Sequence, residues 1–587
     1  MCVDVVFVNS MEFIVEKGVP QIGQLILSNI LSEKYTVEWL NFDGLNYYGK
    51  LKYEESYSES IEKYAEFILA KNPRIVGFYT ICSSFISAVR LANAIKKRQS
   101  GVKIVFGGPH ATILAKECLE ELPFVDAVIL GESEKTIELI VERLINNEAL
   151  KGLQGVAYRN ERKVIVAEYK ELVKNDELSK YTVYDYSPYQ IQQGDLVMIE
   201  AGRGCPYACT FCSTSTFWGR KFRIKPAQDI IEEMCKFNAL YGVTRFSMLH
   251  DLFTANKQYV KDFCKMYLDK KLNFTWDCSS RIDVLDEETI DLLAEAKCTG
   301  LFIGLETGSP RMQKLLNKNL DIEKALKLIK YLVDKKFNLT IAFIYGYPEE
   351  TQEDFVLTVN LMERLRKMGV NEIQLGTYIP LPNTLEVTKV KDSLYFEEED
   401  INFSIYKKYV FDDVTKTLIN NYSELFVQYY SFESTIRVKY RYFDLFHAMF
   451  FAVSKIFFCC SNFILNKYTY IELYEKYLDK IETHIKKSRK GLKEASFFLE
   501  ESCQFFSCNI FQEELRRGNE FFEVAYSIEK VFYKYCMSKT TECETYRMAV
   551  DYIHMRKYNE IIRKEVQIVF DKELGHPRIM QMGCEKK

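Results

Sequence analysis

Short, continuous apolar runs at residues 3–8, 35–41, 74–80, 103–106 and 127–130 alternate with amphipathic stretches such as 84–97, where apolar positions recur at helical spacing. Strands buried on both faces read as unbroken apolar runs, and helices between them imply parallel pairing. Residues 1–150 are therefore expected to form a doubly wound α/β domain. Ligands of such sheets sit beyond the carboxyl ends of the strands. Two of those ends carry glycine turns, Gly107-Gly108-Pro109-His110 and Gly131-Glu132-Ser133, which let backbone approach a ligand closely.

A hairpin is predicted over 155–167, inside a connecting stretch, 151–194, that is rich in Tyr, Asp and Ser. Six further strands are predicted at 196–201, 245–249, 274–279, 300–305, 339–345 and 372–379, each followed by a helical segment. Six βα units within 195–390 predict an open, partial (β/α)6 barrel with its chemistry at the carboxyl ends of the strands. From 391 to 587 the pattern changes: only four of the 26 glycines and one of the 12 prolines, Pro577, fall there. Such scarcity of breakers predicts an all-α domain. Its longest apolar stretch, 445–465, contains His447, Lys455 and Asn462. It reads as a buried aromatic helix, because a membrane span needs about 20 residues with few charges.

The length of 587 residues exceeds what one hydrophobic core supports, roughly 250–300, so several domains are required. An apolar fraction of 48% with 27% charged residues excludes wholesale disorder. The 78 basic and 82 acidic residues nearly cancel, so no global field favours nucleic acid. Seventeen cysteines, scattered and odd in number, do not form a secreted disulfide scaffold. With no basic, apolar leader pattern at Met1 to Ser10, a cytoplasmic protein with reduced thiols is expected.

The segment richest in chemistry is Gly202-Arg203-Gly204-Cys205-Pro206-Tyr207-Ala208-Cys209-Thr210-Phe211-Cys212, just after the first barrel strand. Soft thiolates select zinc, copper(I) or iron–sulfur. A structural zinc site wants four ligands, and no fourth Cys or His lies nearby. Three ligands leave one metal corner open, as a four-iron, four-sulfur cluster permits. Two further cysteine pairs, Cys459-Cys460 and Cys503 with Cys508, lack partners at cluster spacing and read as buried thiols.

Cys205, Cys209 and Cys212, with Phe211 before the last cysteine, resemble the defining motif of the radical S-adenosylmethionine (SAM) superfamily. The resemblance implies a [4Fe-4S] cluster on these cysteines, its open iron chelated by SAM, with reductive cleavage of SAM to a 5′-deoxyadenosyl radical. It also implies that Phe211 lies against the adenine. Gly304-Leu305-Glu306-Thr307-Gly308-Ser309 resembles the stretch contacting the ribose and methionyl parts, which brings in Glu306 and Thr307, although an acid at a helix start is the alternative reading of Glu306. His250-Asp251 and Arg281 resemble polar positions facing SAM and read almost equally well as salt-bridge residues. Tyr345-Gly346-Tyr347-Pro348-Glu349-Glu350-Thr351 resembles a family turn that caps a helix.

The order of domains further resembles the cobalamin-binding radical SAM subfamily, including its class B methyltransferases, over about Met1 to Glu386. Ser83 and Ser84, then Gly107, Gly108, His110, Gly131 and Glu132, are the positions that this resemblance assigns to cobalamin contacts in a Rossmann-like domain. The segment Ser10-Met11-Glu12-Phe13-Ile14-Val15 lacks the motif that supplies an axial histidine, so a histidine-free corrinoid is implied, with loss of the ligand as the alternative. The expected activity is cobalamin-dependent methyl transfer to an unactivated carbon of a natural product or peptide. Oxidation, cyclisation or rearrangement with the same cofactors is the first alternative, and a non-catalytic iron–sulfur or corrinoid sensor the second. The resemblance implies an external electron donor of flavodoxin or ferredoxin type; because every cofactor-like motif lies before Glu386 and an open barrel needs a cover that excludes water, the helical region is expected to cover the barrel and set substrate choice.

Overall fold

Alternation within the first apolar run decides how the amino-terminal sheet is buried. In the computed structural model, β1 (Val5–Val8) sends Val6 and Val8 into one core and Val5 and Phe7 into the other, so both faces of the sheet are covered. The structure describes residues 3–9, 21–161, 163–168, 171–186, 189–396, 411–488 and 495–519, and parts of the chain beyond. Ser10 to Val15, the segment read for the axial motif, lies outside the described residues. The chain divides into two units, Met1–Arg441 and Tyr442–Lys587.

The first sheet joins β1 to β2 (Val37–Leu40), β3 (Ile75–Tyr79), β4 (Lys103–Gly107) and β5 (Ala127–Ile129), followed by β6 (Val156–Asn160) and β7 (Lys163–Ala167). Its order is β2-β1-β3-β4-β5-β6-β7, parallel through β5 and antiparallel beyond it. This is the doubly wound arrangement that the sequence predicts, and the predicted hairpin extends its edge. β6 runs two residues further than expected, to Asn160, and the reversal passes through Glu161 at φ 54°.

After β8 (Leu196–Glu200), a two-stranded ladder of β9 (Gly202–Arg203) and β10 (Arg223–Ile224) brackets the cysteine loop. The series continues with β11 (Arg245–Leu249), β12 (Thr275–Ser280), β13 (Cys298–Glu306), β14 (Asn338–Tyr345) and β15 (Glu372–Thr377). Together with β8 these form one parallel sheet in the order β15-β14-β13-β12-β11-β8, a partial barrel whose end strands do not pair.

Residues 411–441, expected to open the helical region, belong to the first unit. Asp412 anchors them, accepting from Arg90 Nη1 at 2.7 Å and from Ser58 Oγ at 2.6 Å. The second unit contains helices Phe443–Ile456, Phe458–Lys467, Tyr470–Ser488 and Ala495–Phe506. The apolar stretch 445–465 is thus two helices, and no helix among the described residues is long and apolar enough to cross a membrane. Aromatic contacts such as Phe450 with Phe506, centroids 5.3 Å apart, knit the helices together. Cys460 and Cys503 are buried thiols. A hairpin of β16 (Val566–Asp571) and β17 (His576–Gln581) adds a strand pair to this otherwise helical region.

Candidate active site

The loop from Cys205 to Cys212 is held from several sides by its neighbours. Gly204 has φ +85°, and a Cβ there would lie 2.0 Å from the Lys221 carbonyl oxygen, so glycine alone fits. Its N–H donates to Asp251 Oδ2 at 2.8 Å, two residues past the end of β11. Further along, Thr210 N–H donates to the Leu316 carbonyl (3.1 Å), and Asn317 Nδ2 donates to the Ala208 carbonyl (2.9 Å).

Arg281, at the carboxyl end of β12, bonds both oxygens of Asp283 at 3.0 and 2.9 Å and the Lys318 carbonyl at 2.8 Å. Its Nη1 lies 3.8 Å from Cys209 Sγ, and its guanidinium stacks over the Tyr207 ring at 3.9 Å. Burial pushes the Cys209 thiol up, while the charges of Lys318 and Arg281 pull it toward thiolate. Cys205, Cys209 and Cys212 are all free and half-buried; burial first, and the nearby Cys212 sulfur second, push the Cys205 and Cys209 thiols up. Among the described residues no three His, Cys, Asp or Glu side chains converge as ligands of a single ion would. Three thiolates on separate irons of a cluster stand further apart than that, and the donor set fits a cluster.

Next to this loop lies a set of buried groups suited to an adenosyl ligand. Phe211 meets the Tyr347 ring edge-on at 5.8 Å, within a small core that includes Met312, Leu316 and Tyr378. The hydroxyls of Tyr347 and Thr210 are buried without a hydrogen-bond partner among the described residues. A buried polar group left unmatched costs about 1–3 kcal/mol, and a bound ligand relieves that cost. Glu306 adopts φ 67° and pairs with Lys318 Nζ at 3.0 Å. Thr307, expected to contact the cofactor, also builds the turn: its hydroxyl bonds Thr358 Oγ1 (3.1 Å) and accepts from Ser309 N–H (3.1 Å). Sequence reading missed Tyr347, because its motif reads as a capping turn. That cap is present, with Thr351 and Asp354 bonded reciprocally.

On the first sheet, Ser84 stands at the start of the helix Phe85–Arg98 after β3 with Ser83 just before it, Gly107 ends β4 with Gly108 next, and Gly131 follows β5 with open space around its Cα. Three of the expected contact residues have partners within the protein. His110 is buried against Phe85, and its Nε2 faces the Leu425 carbonyl at 3.0 Å. Burial lowers its pKa to about 4. Glu132 is buried too. It accepts from Arg203 Nη1 (2.7 Å), Arg223 Nη1 (2.6 Å) and Val173 N–H (2.8 Å), so its carboxylate is part of a buried ion cluster. Glu134 and Glu200 complete that cluster around Arg203, at 2.7 and 2.8 Å. His250, read beside Asp251 as facing SAM, accepts at Nδ1 from Leu252 N–H (2.8 Å) and bonds the Arg223 carbonyl through Nε2 (3.0 Å), stapling β10 to β11.

A model of the radical SAM superfamily matches residues 199–362, and a model of the B12 binding domain matches residues 15–141. The chain thus carries a radical SAM domain, with a B12-binding domain ahead of it. It is similar to an uncharacterized methyltransferase of Pyrococcus horikoshii, 28% identical over 370 residues that cover 62% of this chain and 77% of that one. It is also similar to the cytidylyl-2-hydroxyethylphosphonate methyltransferase of Streptomyces wedmorensis, 28% identical over 338 residues, 51% of this chain and 61% of that one. In fold, this radical SAM enzyme resembles the radical S-adenosylmethionine methyltransferase TsrM from Kitasatospora setae, solved with cobalamin and a [4Fe-4S] cluster. The TM-score is 0.54 at 16% identity, over 67% of this chain and 78% of that one.

Proposed function

We propose that this enzyme is a cobalamin-dependent C-methyltransferase acting on a small molecule or peptide. The observation that carries the reading is the buried ion cluster joining the two cofactor edges: Glu132, from the loop after β5, bonds Arg203, which stands two residues before Cys205. The names of both similar enzymes, a methyltransferase in each case, support it.

Cys205, Cys209 and Cys212 would hold the cluster, with SAM completing its open iron. When bound, the cluster and SAM supply a 5′-deoxyadenosyl radical, and cobalamin supplies a methyl-carrying cobalt. The remaining roles fall to the chain itself. Arg281 and Lys318 hold positive charge beside the Cys209 sulfur, and Asp251 fixes the start of the loop. Phe211, Tyr347, Thr210 and Glu306 offer an aromatic face, two hydroxyls and a carboxylate to the adenosyl and methionyl groups. Ser83, Ser84, Gly107, Gly108 and Gly131 form the corrinoid edge. We place the enzyme in the cytoplasm, in keeping with the free thiols throughout its described residues, and assign it an electron donor of flavodoxin or ferredoxin type.

Anaerobic turnover with methyl-labelled SAM, cobalamin, a strong reductant and a metabolite extract tests this. Label on a product carbon is the expected result. A product formed at the expense of SAM but carrying no label would assign oxidation, cyclisation or rearrangement instead.

A further inference from the structure

The strand period of two places the candidate cofactor groups and a cavity on one inward-facing stripe. Arg281, still in extended backbone (φ −106°, ψ 139°), stands two residues beyond Ser279, so the face that carries it continues down the barrel, and Asp251 sits in the turn just after β11. Beneath them lies a cavity of about 420 Å³, lined by inward residues of β11 to β14. This volume suits a small-molecule ligand.

The cavity is amphipathic along its length. Its upper wall carries Leu249 and Phe302, large apolar side chains that stay 43% and 44% exposed. Deeper, Asp277 stands opposite Ser247, whose hydroxyl donates to Asp277 Oδ1 at 2.5 Å. Oδ2 has no hydrogen-bond partner among the described residues. Room for this carboxylate comes from Gly300 on β13, where a Cβ would lie 3.1 Å from the Cβ of Asp277. At the amino end of β11, Arg245 also lines the cavity, and among the described residues its guanidinium pairs with no carboxylate. Burial pushes the Asp277 carboxyl above its usual range, while the Ser247 hydroxyl and the Arg245 charge pull it down. A half-buried carboxylate and an exposed guanidinium thus stand together at the amino end of a cavity whose upper wall is apolar.

We propose that this cavity is the substrate site and that it takes a free α-amino acid with an apolar side chain, the ammonium on Asp277, the carboxylate on Arg245 and the side chain rising past Leu249 and Phe302. Four residues of strand, about 13 Å, separate Asp277 from Arg281, which leaves the side-chain end toward the cofactors. The proposal rests on the reading of the barrel mouth as the radical site.

Saturation-transfer NMR on the full chain tests it with three probes: L-phenylalanine, phenethylamine, which lacks the carboxylate, and 3-phenylpropionate, which lacks the ammonium. On the wild type, L-phenylalanine should bind at least tenfold tighter than either partial probe. Asp277→Asn should remove that advantage over 3-phenylpropionate, and Arg245→Gln the advantage over phenethylamine. Equal affinity for all three probes on the wild type, or no binding of any, overturns the proposal whether or not the variants fold. Cluster loading and SAM cleavage, measured on the same wild-type sample, report separately on the radical site: their failure with the probe pattern intact would sink the proposed function and leave the amino-acid site standing.

Discussion

Arg203 Nη1 and Glu132 Oε1 meet at 2.7 Å, each side chain about 95% buried, and so join the loop after β5 to the residues just ahead of Cys205. Removing one partner of such a buried pair leaves an uncompensated charge, typically at a cost of about 3–5 kcal/mol.

Glu132→Gln should therefore destabilise the first unit by about 3 kcal/mol. All three tryptophans, Trp39, Trp218 and Trp276, lie in that unit, so intrinsic fluorescence during urea unfolding reads it selectively. An unchanged midpoint would mean that the ion cluster does not hold the two domains together.

Tyr347→Phe removes a buried hydroxyl that has no hydrogen-bond partner among the described residues. The variant should be as stable as the wild type, or slightly more so, yet bind SAM roughly three- to tenfold more weakly, the worth of one hydrogen bond. Equilibrium binding of SAM to the reconstituted protein decides. Equal affinity would remove Tyr347 from the adenosyl site.

Gly204→Ala forces a Cβ toward the Lys221 carbonyl at a positive φ. Iron and sulfide content after anaerobic reconstitution should fall at least several-fold, with the fluorescence midpoint of the first unit lowered by roughly 1–3 kcal/mol.

His110 is held neutral by burial, its pKa about 4 against an ordinary value near 6.5. The unfolded chain takes up a proton below pH 6.5 that the folded chain refuses until about pH 4. Stability from this group is therefore complete above pH 6.5 and declines as pH falls, by about 2 kcal/mol at pH 5. His110→Gln, which keeps a donor for the Leu425 carbonyl, should flatten this part of the profile between pH 7 and 5.

Much of this architecture is legible in the sequence because it rests on local pattern. The unbroken apolar runs of β1, β3 and β4 and the cysteine spacing on one loop need no knowledge of distant residues. What pattern could not reveal is partner choice at long range. Glu132 and Arg203 are 71 positions apart, and a glutamate after a Gly reads the same whether it meets a ligand or an arginine. The return of Leu425 onto His110 is likewise a contact across 315 positions. Tyr347 was hidden for another reason: its neighbours Glu350 and Thr351 supply a turn and a cap that account for the motif without it. The strands β16 and β17 escaped because scarcity of breakers argues for helix only on average.

The most direct test of the account is electron paramagnetic resonance of the anaerobically reconstituted, reduced protein with and without SAM, alongside the variant in which Cys205, Cys209 and Cys212 are all Ala. One reduced [4Fe-4S] signal per wild-type chain, a change in that signal when SAM is added and 5′-deoxyadenosine on turnover are expected, and none of these in the variant. A cluster signal and SAM cleavage that persist in the triple variant, or a fully folded wild type that assembles no cluster, would contradict it.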